Sequence, residues 1–464
     1  MRTQLTKRWS KPENIFLLIG AIFCLAFSLF QPLFIEPDAS YHFDSATYIS
    51  HTVVDRASVG MPTEDYMSEP TPFDTVTGLK RNHTYFSSLF VQKLPVIPRD
   101  QVIDKRVINA GFSYTLMHLV PAIGVKLGHA IYPSVGVMIV TARLLNSIVF
   151  LLGLYFIIKK VKAYKRIFVF VSLTPTVIQL ATSLSYDNFN YLIFAAASAL
   201  LVNLSMAFYG KAKIDKWLYV PLTAIIFIGL YFSKTNSKLL FIPLMLLVYA
   251  YIYRRLKSRR LKQWMIYGPV LLIFIGLIVA FFKIGLSQIK LEGKQLTFSL
   301  LEPYYTVLTT EVISGTNTVG LPAWLFPIQY LALALVFLTE KKEGLPKAFA
   351  WTGLGLVVLN FFGIMFQYAG NSHFVGNVIT GPQGRYFTPY LLLLAPVLAR
   401  FGGWLGLQPK GIEGEGAHAK LQLLAYAVSV VSLIVCLGLI VLKFYWLQLP
   451  ADEFRSGISH YIFR

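Results

Sequence analysis

The chain has 464 residues, of which 55% are hydrophobic and only 14% charged, with a formal net charge of +20. A soluble domain carries about 25% charged residues, so the composition excludes an ordinary water-soluble enzyme and points to an all-α integral membrane protein. In a soluble chain such a positive excess would suit nucleic acid. Here Lys and Arg fall in short clusters between apolar runs, the pattern of cytoplasmic loops in a lipid bilayer, and no nucleic-acid partner is expected.

The first apolar run, 15–35, follows Arg2, Lys7, Arg8 and Lys11 and is long enough to cross a hydrocarbon core of about 30 Å. It exceeds the usual signal-peptide core of about 7–15 residues, and no small-residue cleavage site follows. It therefore reads as an uncleaved first span with a cytoplasmic N-terminus. The segment 36–134 then forms a large extracytoplasmic loop. Within it, 111–131 is apolar but carries His118, Lys126 and His129, with Pro121 near its middle. Counting it as a span would turn the cluster Lys159/Lys160/Lys162/Lys165/Arg166 outward, so it is read as an interfacial helix on the outer leaflet.

Further spans are expected at 135–158, 167–184, 188–209, 217–233, 238–253, 264–286, 322–338, 348–368, 386–400 and 420–447, about eleven in all. The clusters Lys211/Lys213/Lys216, Arg254/Arg255/Lys257/Arg259/Arg260/Lys262, Lys341/Lys342/Lys347 and Arg400/Lys410/Lys420 face the cytoplasm with the first one. The result is a single polytopic domain, 1–464, with a second extracytoplasmic loop at 287–321, a Gly-rich cytoplasmic loop at 401–419 and an extracytoplasmic C-terminus. Cys24 and Cys436 both lie in apolar runs without a spacing motif and read as buried thiols.

This topology gathers polar residues at outer span ends. "FIEPDASYHFD" places Glu36, Asp38, His42 and Asp44 after the first span. "SLSYDNFN" places Asp187 at an outer hairpin, "SKTNSK" places Lys234 at another, and "GPQGRYF" brings Gln383 and Arg385 to the start of the tenth. Arg143 lies eight residues into the second span, about 12 Å down at 1.5 Å per residue. A charge at that depth marks either a functional site or an internal ion pair that holds helices together. Each of the others also has a plain reading. Asp38 and Asp187 suit helix starts, Glu36 and Asp44 suit solvated loops, and Lys234 and Arg385 suit snorkelling to headgroups.

Chemically, carboxylates suit a general base on an acceptor hydroxyl. Arg suits a phosphate as a two-pronged fork and Lys as a point charge. Asp38 and His42 are four apart, on one face of a helix, where they would share a proton or bind a metal. No second His or Cys is suitably spaced for a metal site, so a divalent ion such as Mg or Mn stays open. Acids and phosphate-binding bases at one leaflet are what a transferase with a lipid-phosphate donor needs.

"EPDASYHFD", "LTPTVIQLATSLSYDNFNYLIFA", "SKTNSKLLFIPLML" and "GPQGRYFTPYLLLL" together resemble a family of bacterial membrane proteins, domain of unknown function 2142, over about residues 15 to 400. Where that family carries a second acid directly after the Asp, this chain has Ala39, which shifts weight to Asp38 with Asp44. The family in turn looks like the GT-C class of glycosyltransferases. That resemblance implies a polytopic fold whose first outer loop holds membrane-lying helices, and a polyprenyl-phosphate-linked sugar donor used at the extracytoplasmic face of a bacterial plasma membrane.

The resulting expectation is a glycosyltransferase that passes a sugar to a cell-envelope glycan or another outer acceptor. Asp38 is the base or the acid that orients the acceptor, supported by Asp44 and Asp187. Arg385 and Lys234 hold the donor phosphate, and Glu36, His42, Arg143 and Gln383 contribute to binding. The rivals are a glycan polymerase or ligase and a transporter or flippase of a lipid-linked precursor. A transporter should place its charges near the midplane, whereas most charges here lie at the outer edge.

Overall fold

Pro12 at the first helical position and Glu13 in the first turn start helix α1 (Pro12–Phe30), both favourable at a helix N-terminus. Its 19 residues reach about 28 Å, close to the hydrocarbon thickness. The computed structural model describes residues 11–59 except 35 and 37, 86–265, and 322–442 except 323, 342, 344, 371–373, 376–377, 380–381 and 409–410, with Gly268, Ile275, Gln295 and Tyr445 as isolated positions. The regular structure of these residues is helical, apart from an antiparallel ribbon of two short strands, β1 (Phe374–Val375) and β2 (Val378–Ile379).

After α1 come α2 (Ala39–Ser50), α3 (Phe112–Met117), α4 (Leu119–Ile131) and α5 (Val135–Lys160). The chain continues through α6 (Lys165–Ser172), α7 (Pro175–Ala181), α8 (Asp187–Phe208), α9 (Lys216–Tyr231) and α10 (Phe241–Arg255). The last described helices are α11 (Leu325–Thr339), α12 (Lys347–Gly370), α13 (Ala395–Trp404) and α14 (Gly411–Val441). Among the described residues, six segments are long and apolar enough to cross a membrane: Pro12–Phe30, Val135–Lys160, Asp187–Phe208, Asn236–Arg255, Lys347–Tyr368 and Lys420–Val441. The apolar helices Leu119–Ile131, Lys216–Tyr231 and Leu325–Thr339 are shorter. Most of the expected span 264–286, the stretch 60–85 of the first loop, and 287–321 apart from Gln295 lie outside the described residues.

Three expectations differ from the structure for physical reasons. The run 167–184 is two short helices, because Pro175 cannot continue α6 and disfavours helical geometry at Thr174, whose hydroxyl instead donates to the Val171 carbonyl at 2.8 Å. Residues 167–185 are buried throughout, so their apolarity reflects a core position between helices. The run 386–400 begins as a 3-10 segment, Thr388–Leu394, before α13. The expected loop 401–419 shrinks to a turn: α13 ends at Trp404, Gly406 sits at φ +72°, and Leu407 N–H returns to the Gly402 carbonyl at 2.9 Å.

Close packing of α4 on α5 relies on glycine. A Cβ at Gly128 would lie 2.6 Å from Met138 Cα, and one at Gly124 would overlap the Ala142 backbone. Small residues at such contacts let helix backbones approach. The segment 111–131 is thus broken at His118, and its second half runs beside the first part of α5. It leaves Leu119, Ile123, Leu127 and Ile131 exposed in one stripe at helical spacing.

The bundle has two unlike ends. At one, Asn203 ties α8 to the Lys160 carbonyl and the Lys162 amide, and Arg254 lies over Phe208 at 4.1 Å. Residues of the 159–166 and 254–262 basic clusters therefore meet there. The polar residues of the candidate site collect at the other.

Candidate functional site

Asp38 precedes α2 in a left-handed conformation, φ 57° and ψ 26°. Asp is one of the few L-residues that adopts this geometry at modest cost. Its carbonyl accepts the His42 N–H at 3.0 Å and so starts the helix, while its carboxylate makes no capping bond and is 30% exposed. Arg385 Nη2 stands 3.8 Å from Asp38 Oδ2, and Arg385 Nε 3.0 Å from Asp187 Oδ2. Lys234 pairs with the other oxygen of Asp187. Three distant segments thus meet on one carboxylate.

Local structure fixes the two cations. Asn190, one turn into α8, accepts the Lys234 amide at 2.9 Å. The Asn236 amide reaches Asn360 Oδ1 at 3.2 Å and the Tyr386 carbonyl at 3.4 Å, and the Tyr390 hydroxyl closes the network on the Asn236 carbonyl. This joins "SKTNSK", α12 and the 3-10 turn Gly384–Tyr386, of which Gln383 is the half-buried preceding residue. Lys234 Nζ lies over the rings of Tyr186 and Tyr386, at 4.9 and 4.7 Å. Burial lowers Lys234 from its ordinary pKa, partly offset by Asp187.

The arginines divide by how their donors are used. Arg143, fully buried, donates to Glu36 Oε1 from Nε at 2.9 Å and Nη2 at 2.6 Å, and to the carbonyls of Gln31 and Pro32 at 2.6 and 2.8 Å. It is spent on closing the end of α1. It sits level with that end, two turns into α5, which is 26 residues or about 39 Å long. Arg56 holds Asp44 through both carboxylate oxygens, at 2.9 and 3.0 Å, and the Asp104 amide adds a third bond at 2.9 Å. Glu36, Asp44 and Arg143, grouped with the site in the sequence, are thus occupied as buried internal pairs. Arg385, only 10% exposed, makes ion pairs but no hydrogen bond among the described residues, and its Nε is buried without one.

His42 does not pair with Asp38, because α2 begins only after Asp38. Instead His42 Nδ1 lies 2.8 Å from His118 Nε2, and His118 Nδ1 lies 2.8 Å from the Tyr114 carbonyl. That carbonyl accepts only, so Nδ1 of neutral His118 carries the proton and Nε2 accepts from His42. Burial drives His42 well below 6.5, with His118 adding to it, and burial brings His118 down to about 4. Tyr186 stands edge-on to both rings, at 5.0 and 5.4 Å. His118, Tyr186, Tyr386, Asn360 and Arg56 did not emerge from the sequence as site residues. His118 is signalled by the polar break it makes in an apolar run, and Tyr186 and Tyr386 stand inside the motifs "SLSYDNFN" and "GPQGRYF". No group of three or more His, Cys, Asp or Glu among the described residues is placed to hold a metal, and the carboxylates of Asp38 and Asp187 already face cations.

The apolar helices and the polar cluster at one end of their bundle define a polytopic membrane protein. The chain belongs to a family described as "Predicted membrane protein (DUF2142)", whose model matches residues 21–394. No curated protein and no solved structure matches it.

Proposed function

We propose that the protein is a membrane glycosyltransferase of GT-C type, transferring a sugar from a polyprenyl-phosphate donor to a cell-envelope glycan or other extracytoplasmic acceptor. The reading includes about eleven spans in a bacterial plasma membrane, with the basic end of the bundle cytoplasmic and the Asp38 end outside. One observation carries it. Arg385 is a largely buried guanidinium with hydrogen-bond donors unspent, beside Lys234 and a partly exposed carboxylate. Buried polar groups left unpaired call for a ligand or ordered water, and a fork of N–H donors matches a phosphate.

In the proposed step, an acceptor hydroxyl gives its proton to Asp38 and its oxygen bonds to the anomeric carbon. The bond from that carbon to the phosphate oxygen breaks, and its electron pair leaves on the phosphate. Arg385 and Lys234 stabilise that developing charge. Asp187 orients both cations without touching the sugar, and direct displacement inverts the anomeric centre.

The test is release of polyprenyl phosphate from synthetic sugar-linked donors by purified protein in lipid nanodiscs, with a panel of envelope glycans. Release by the wild type and none by Asp38→Asn is expected. No release from any donor and acceptor combination overturns the proposal.

A further inference from the structure

A cavity of about 160 Å³ lies beside the cluster, lined by Ser45, Tyr48, Arg99, Tyr114, Thr115 and His118 together with apolar side chains of the 107–110 turn. A single water needs only about 10–15 Å³, so the space admits a small organic group. Dry cavities in proteins are apolar; this one has hydroxyls, an imidazole and a guanidinium in its wall.

Arg99 sets the chemistry. Its guanidinium carbon lies over Tyr48, 3.9 Å from the ring centre, a cation–π contact that holds the group at the cavity wall. It makes no hydrogen bond among the described residues, and its Nε is buried without a partner. A guanidinium held there with its donors unspent presents a planar fork suited to a carboxylate or phosphate. Ser45 and Thr115 add hydroxyl donors and acceptors, and Tyr48 and Tyr114 add ring faces.

The cavity also adjoins the cluster. His118 lines it and meets His42 at 2.8 Å, and the Tyr114 ring meets that of Tyr186, next to Asp187, at 6.0 Å between centres.

We infer that this cavity binds the acceptor, as a hydroxyl-rich group carrying one negative charge, of the class of an acidic sugar. The word acceptor rests on the proposed transfer reaction; the binding of an acidic sugar does not.

Binding is therefore measured directly, by ligand-observed NMR on the full chain in nanodiscs. The probes are methyl glucuronide, methyl glucoside and glycerol phosphate, with wild type, Arg99→Ala, Arg99→Lys and Arg385→Lys. The expected result is glucuronide binding that weakens about tenfold or more in both Arg99 variants and is unchanged in Arg385→Lys. Arg99→Lys keeps the charge and covers the case in which Arg99→Ala fails to fold. Preference for glycerol phosphate over glucuronide would transfer the site to a lipid-headgroup phosphate and overturn the sugar assignment. Equal binding of glucoside and glucuronide would overturn the anionic class. Loss in Arg385→Lys with none in the Arg99 variants would place the anion on the cluster and overturn the cavity while leaving the donor reading intact. Glucuronide binding without any sugar transfer would keep the cavity and overturn the reaction.

Discussion

Replacing Arg143 with methionine, similar in length but uncharged, should destabilise the protein by about 3–5 kcal/mol, the usual result of stranding one member of a buried ion pair. Arg143 makes four hydrogen bonds, two to Glu36 and two to the carbonyls that end α1. Summed as independent charged bonds at about 1.5–3 kcal/mol each, they would exceed that figure. Two of them share one oxygen, however, and the dominant loss is a carboxylate left 6% exposed with no cation. Adding Glu36→Gln removes the stranded charge and should recover part of the stability, giving a favourable coupling within about 0.5–3 kcal/mol. Thermal melting of the two single variants and the double variant in matched detergent measures this, with donor titration alongside. An Arg143→Met protein that melts like wild type but loses donor binding would refute the reasoning and return Arg143 to the substrate.

Asp38→Asn should reduce transfer by about 10²–10⁴ with an unchanged melting temperature, because the carboxylate is partly exposed and makes no hydrogen bond that caps α2. Arg385→Lys should weaken donor use about tenfold to a hundredfold, as one arm of the fork is lost; equal donor dependence would reject the phosphate role. Gly124→Ala should cost about 1–3 kcal/mol or more by overpacking α4 on α5, seen as a lowered melting temperature. Stability should also fall as pH drops from about 6.5 toward 4, because His42 and His118 are held neutral when folded and take up protons on unfolding. In that window each takes up at most one proton on unfolding, so stability rises with pH. A flat melting profile between pH 6.5 and 5, or an unchanged slope in His118→Gln, would contradict this.

The residues that meet in the cluster were legible because each is a charge in a short polar motif at the end of an apolar run. Topology alone then puts Asp38, Asp187, Lys234 and Arg385 near one another. Partners were not legible. Glu36, Asp44 and Arg143 announce themselves as charges, but only three-dimensional packing shows that Arg143 closes α1 and that Arg56 takes both oxygens of Asp44. Arg56 and Arg99 sit in aperiodic loop sequence, where no pattern marks a functional side chain. Hydropathy likewise cannot tell a lipid-facing helix from one wrapped in protein, so it marks 167–184 as apolar without showing that the run is buried and broken in two, although Pro175 already carries the signal for the break.

The closure of α1 has a consequence for how the chain is made. Glu36 leaves the ribosome 107 residues ahead of its partner Arg143. At about 5–20 residues per second, α1 waits roughly 5–20 s with an open end and an uncompensated acid. Arg143, by contrast, arrives with its counter-charge and two carbonyls already in place. The first span is therefore incomplete as an independent insertion unit, and α5 is the segment that seals it. A chain halted before Arg143 should hold α1 loosely, and the same chain extended past Lys160 should lock it.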